Sequence, residues 1–99
     1  MSIRVIAENK VKPEKLGEFF SVVLELIEKT HAFDDGCIQY ELFESDDGGY
    51  TMLEEWASRE ALQAHSSSQH FLELIPKLGA CCEPGGAPKI LSGFVIPRA

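Results

Sequence analysis

The order of hydrophobic patterns along these 99 residues predicts an α+β fold: a β-α-β-β-α-β chain forming an antiparallel sheet with helices on one face. Three observations carry this. The chain opens with apolar residues at nearly every second position, the period of a strand with two unlike faces. Apolar residues three and four apart follow, the period of an amphipathic helix. Two aromatic-rich runs then flank an acidic, glycine-rich loop, the composition of a hairpin.

In residues 3–11, Ile3, Val5, Ala7 and Val11 fall on one side and Arg4, Glu8 and Lys10 on the other. Pro13 suits the first turn of a helix, where its missing N–H removes no bond, and Glu14 suits the positive end of the helix dipole. Leu16, Phe19, Phe20, Val23, Leu24 and Ile27 mark that helix, which is expected to reach about His31 and to stop at Asp34-Asp35-Gly36, with Gly36 free to take a positive φ. Residues 37–44 and 50–57 are two antiparallel neighbours joined across Ser45-Asp46-Asp47-Gly48-Gly49. Ser58 is placed to cap a helix that has Glu60 in its first turn. The run Ser66-Ser67-Ser68 interrupts that helix and caps another, striped by Phe71, Leu74, Ile75 and Leu78 and bent at Pro76. Residues 81–88, with Pro84, Gly85, Gly86 and Pro88, read as a loop. Residues 90–96 read as a last strand, softened by Gly93 and ended by Pro97. This is the ferredoxin-like, split βαβ order.

The length suits one domain over residues 1–99, since a chain of this size buries roughly 60 to 65% of its unfolded surface and has material for one modest core. A net charge of −7 works against nucleic acid and anionic membranes as partners, because phosphate binding needs Lys and Arg gathered on one face. The apolar stretch around residues 19–27 is broken by Ser21 and Glu25 and is too short to span a membrane. The N-terminus lacks the pattern of an export signal, so the expected compartment is the cytoplasm. Cys37, Cys81 and Cys82 read as free thiols, the adjacent pair being poorly placed to bridge. A sheet covered on one face leaves the other open. With Tyr40 and Leu42 on one side of the second strand and Phe43 on the other, both faces are apolar, so a two-fold homodimer through the open face is expected, closing a barrel across two subunits.

The segments Gly36-Cys37-Ile38-Gln39-Tyr40, Glu54-Glu55-Trp56, Ala61, His65 and His70-Phe71, with the opening Val5-Ile6-Ala7-Glu8-Asn9, resemble the antibiotic-biosynthesis monooxygenase family, and among its members the small proteins described as quinol monooxygenases. The resemblance implies a dimeric α+β barrel that oxidises a small electron-rich aromatic or quinol substrate with O2, using no metal, flavin or haem. A base removes a phenolic proton, and the resulting anion reduces oxygen. Haem-degrading members carry an asparagine on the first strand, which Asn9 matches, but His65 and Ile75 stand where their Trp and His would be, which argues against that reaction. A relative that isomerises a phosphorylated autoinducer sugar has a similar His-x4-His segment, so an isomerase stays open, as does a barrel that binds a small molecule without turnover.

Five side chains and one neighbour are the candidate site. Asn9 lies in phase with Ile3, Val5 and Ala7, an amide on an apolar face that either meets a substrate oxygen or satisfies backbone near a strand end. Glu54 and Trp56, two apart, share a face; the indole is a stacking wall or core, and the carboxylate is placed to orient a histidine. His65 and His70, the candidate bases, would lie about 140° apart on a continuous helix and converge only if the chain breaks between them. Phe71 joins Asn9, Trp56 and Glu54 as a substrate contact. No metal site is expected, because two histidines alone lack a third ligand. His31, at the end of the first helix, is expected to be exposed.

Overall fold

The computed structural model describes residues 2–85 and 88–92. The chain runs β1 (Ile3–Asn9), a 3-10 turn (Pro13–Lys15), α1 (Leu16–Phe33), β2 (Cys37–Glu44), β3 (Tyr50–Trp56), α2 (Arg59–Ser66), α3 (Gln69–Ala80) and β4 (Lys89–Ser92). The four strands form one antiparallel sheet in the order β2-β3-β1-β4. This is the ferredoxin-like α+β arrangement the hydrophobic patterns predict.

Register fixes the faces. Ile3, Val5, Ala7 and Asn9 pair with Trp56, Glu54, Met52 and Tyr50, and the last three of those pair onward with Tyr40, Leu42 and Glu44. Because side chains alternate, these residues share the face that α1 and α3 cover. There Phe19, Val23 and Leu26 of α1 and Leu74 and Leu78 of α3 pack on Val5, Tyr40, Met52 and Trp56. The buried stripe of α1 is Phe19, Val23, Leu26 and Thr30. Phe20 and Leu24, expected in it, are exposed, since each lies about 100° from the buried row. The other sheet face carries Ile6, Phe43, Leu53 and Leu91, with Phe43 47% and Leu91 45% exposed.

Several boundaries differ from expectation. β1 ends at Asn9, and Val11 makes an isolated bridge with Cys82. α1 continues to Phe33, where the Asp34 N–H still bonds Thr30 O at 3.0 Å. Pro76 lies inside α3 without ending it. Gly86, Gly93, Pro97 and the expected continuation of the last strand beyond Ser92 lie outside the described residues. The serine run does divide the helices. Ser68 Oγ accepts from Phe71 N at 3.2 Å to cap α3, and donates to His65 O at 2.6 Å to close α2.

Gly36 ties the α1–β2 link to α2. Its φ of 78° lies in the left-handed region, and a Cβ there would stand 2.8 Å from the Ala61 Cβ. Its carbonyl accepts from Ala57 N at 2.8 Å. No described helix is long and apolar enough to cross a membrane.

Candidate functional site

Antiparallel pairing of Cys37 with Trp56 brings the start of β2 beside the end of β3. The segment leaving α1 and the helix following β3 therefore meet at one end of the sheet. Asp34 is the residue just past α1, His65 is in the last turn of α2, and His70 is in the first turn of α3. The break at Ser67 and Ser68 turns the second imidazole toward the first, leaving their ring centroids 6.2 Å apart.

Asp34 holds both. His65 Nδ1 lies 2.6 Å from Asp34 Oδ2, and His70 Nε2 lies 3.0 Å from both carboxylate oxygens. A carboxylate only accepts, so each of these ring nitrogens carries the proton and donates. For neutral His65 the lone pair is then on Nε2. That nitrogen is buried and has no hydrogen-bond partner. Its ring, 2% exposed, stacks at 4.5 Å on Trp56 with a 35° tilt, and meets Tyr40 at 5.1 Å and Phe71 at 4.9 Å edge-on.

Burial sets the protonation states. It pushes the His65 imidazole below the ordinary histidine range, and Asp34 opposes this only in part. The same cause raises Glu54 to about 7, partly offset by the bond that Trp56 Nε1–H donates to Glu54 Oε1 at 2.9 Å. The Tyr40 phenol and the Cys37 thiol are also pushed up by burial, Cys37 to about 11, so neither ionises near neutral pH.

The expected site residues do not all converge. Trp56, His65, His70 and Phe71 form one cluster. Glu54 stands beside it with its carboxylate on Trp56, so the residue that orients the histidines is Asp34 and not Glu54. Asn9 lies at the opposite end of the strand, paired with Tyr50 while Ile3 pairs with Trp56, a separation of about 20 Å along β1. Its amide donates to Ala7 O at 3.2 Å and Tyr50 O at 3.3 Å, satisfying backbone at a strand end. His31 is exposed and has Nε2 3.1 Å from Tyr40 O. In the sequence Asp34 stands out only as part of a helix stop. Its nearness to His65 follows from the Cys37–Trp56 register, which would have been the signal.

One cavity among the described residues, about 830 Å³, lies at the Asn9 end and is lined by none of the histidines. A second, about 550 Å³, opens between Asp34, Gly36, Ala57, Ala61 and His65, and a third, about 370 Å³, reaches His70 beside Phe33 and Glu73. These two cavities, unlike the one at the Asn9 end, reach the mutually oriented Asp34, His65 and His70.

Known proteins share this chain's pattern. The family model described as "Antibiotic biosynthesis monooxygenase" matches residues 2–77. The Bacillus subtilis protein "Putative monooxygenase YcnE" is 37% identical over 70 residues, covering 69% of this chain and 73% of that one. A conserved protein from Methanosarcina mazei superposes with a TM-score of 0.86 at 39% identity, over 92% of this chain and 91% of its own. The Mycobacterium tuberculosis protein Rv0793 does so with a TM-score of 0.87 at 28% identity, over 99% and 100%.

Proposed function

The chain belongs to the antibiotic biosynthesis monooxygenase family, and we propose that it is a cofactor-independent monooxygenase of a small electron-rich aromatic or quinol substrate, with His65 as its base. The observation that carries this is the His65 imidazole, held at Nδ1 by Asp34 and left at Nε2 with a buried, unshared lone pair. An unpaired buried acceptor costs about 1–3 kcal/mol, so a use for it is the natural explanation.

A substrate hydroxyl brought to Nε2 gives up its proton there, and the Asp34 carboxylate stabilises the imidazolium that forms. The substrate anion passes one electron to O2. The resulting radical and superoxide combine to a peroxide anion, which takes the proton back from the His65 imidazolium and then loses water, leaving one oxygen atom on the substrate and His65 neutral again. The surrounding Trp56, Tyr40 and Phe71 rings keep water from the anion and supply stacking surface. The ring approaches through the 550 Å³ cavity, whose lining includes both Asp34 and His65. That cavity is lined by Asp34, Asp35 and Glu60 and by no Lys or Arg among the described residues, which disfavours a phosphorylated sugar.

A second copy of the chain covers the open sheet face in this reading, Phe43 and Leu91 being its exposed apolar residues. Oxygen uptake by the metal-stripped protein with hydroquinones, dihydroxynaphthalenes and anthrones tests the reaction. Saturable uptake above autoxidation, abolished in His65→Ala without loss of the fold, is the expected result. Uptake unchanged in that variant would remove His65 from the role of base.

A further inference from the structure

We infer that Asp34, His65 and His70 form a binding site for a borderline divalent cation, Zn2+ in the first place. Two imidazole nitrogens and one carboxylate are the donor set of Zn2+, Co2+ and Ni2+ sites, and Ca2+ or Mg2+ would call for more oxygen. The three donor atoms lie within 4.8 Å of one another. Ligands around a tetrahedral ion at zinc distances stand about 3.3 Å apart. The His65–Asp34 and His70–Asp34 separations of 2.6 and 3.0 Å call for a small outward movement of Asp34, which sits past the end of α1. The span of up to 4.8 Å calls for the two imidazoles to close toward each other across the break at Ser67 and Ser68.

Charge points the same way. The Asp34 side chain is 8% exposed, yet its only ion-pair partners among the described residues are the two histidines. A buried carboxylate lacking Lys or Arg is matched by a proton on an imidazole or by a metal ion. Asp35 and Glu60 line the cavity that leads to Asp34, so its mouth attracts cations and has space for water as a fourth ligand.

Binding would change what His65 can do. The cation takes the Nδ1 lone pair, the Nδ1 proton leaves to solvent, and Nε2 takes one up, so the buried acceptor becomes a donor. This consequence rests on His65 being the base, and it makes a bound cation and turnover mutually exclusive. The binding itself rests on the geometry alone.

Calorimetric titration of the metal-stripped full chain with Zn2+, and visible spectra with Co2+, test it. The expected outcome is one ion per chain, with cobalt d–d bands and no thiolate charge-transfer band. Asp34→Asn, which keeps the shape of the residue, and His70→Ala should each weaken binding by more than about tenfold. Cys82→Ser should leave it unchanged. Circular dichroism of each variant separates lost ligands from lost fold. Absence of binding, equal affinity in both ligand variants, or a thiolate band abolished in Cys82→Ser would overturn the site. Zn2+ binding that leaves oxygen uptake undiminished would support the site and refute His65 as the base.

Discussion

Glu54→Gln should make the protein more stable at alkaline pH and take away part of its pH dependence. Glu54 faces the covered side of the central strand β3, opposite Val5, and burial raises its carboxyl from 4.5 to about 7. A carboxyl raised on folding favours the native state while protonated. Its contribution is full below the unfolded value of 4.5 and is lost as pH rises through about 7. The loss is about 3 kcal/mol in total, at 1.36 kcal/mol per pH unit, and most of it falls between pH 5 and 8. Glutamine keeps an oxygen for the Trp56 N–H and never ionises, so the variant avoids that loss. Urea unfolding of both proteins at equal concentration across this range is the assay. At a typical urea slope the wild-type midpoint should fall by about 1 to 2 M relative to the variant on going from pH 5 to pH 8. Parallel stability curves would refute the reasoning, because other carboxylates and His65 titrate alike in both chains.

Two other substitutions test the α1–β2 link and the open sheet face. Gly36→Ala combines a positive φ with a Cβ 2.8 Å from that of Ala61, so it should destabilise by at least about 1–3 kcal/mol in thermal or urea unfolding and pull Asp34 away from His65; a wild-type midpoint would show that the close approach is not required. Phe43→Glu puts a charge on the open sheet face at a 47% exposed position, and should convert a dimer to monomers in sedimentation without lowering helix content. A dimer unaffected by it would move the interface elsewhere.

Much of the fold was legible in the residues because each strand and helix presents one covered face. The alternation Ile3, Val5, Ala7 survives in the structure for that reason, as does the helix stripe at Leu74 and Leu78. On α1 the expected stripe holds at Phe19 and Val23, which are buried, and fails at Phe20 and Leu24, which are exposed. Phe20 and Leu24 are as apolar as the buried row, and only packing against the sheet decides between them. The break that lets His65 and His70 converge was readable from Ser66-Ser67-Ser68, because serine hydroxyls cap helices as Ser68 does here. The grouping of Asn9 with Trp56 failed for a different reason. Phase along a strand reports the face a residue shares but not the end it occupies, and the β1–β3 register places the two at opposite ends. Asp34 was missed as a partner because 31 and 36 residues separate it from the two histidines, and such pairs are made by sheet register.

If His65 presents a neutral, unshared Nε2 to the site, nitrogen-15 NMR of the metal-stripped protein reads it from the two ring nitrogens. The expected result is a proton fixed on Nδ1, facing Asp34, and a pyridine-like shift at Nε2 near neutral pH. A proton on Nε2, or a ring exchanging freely between tautomers, would contradict it.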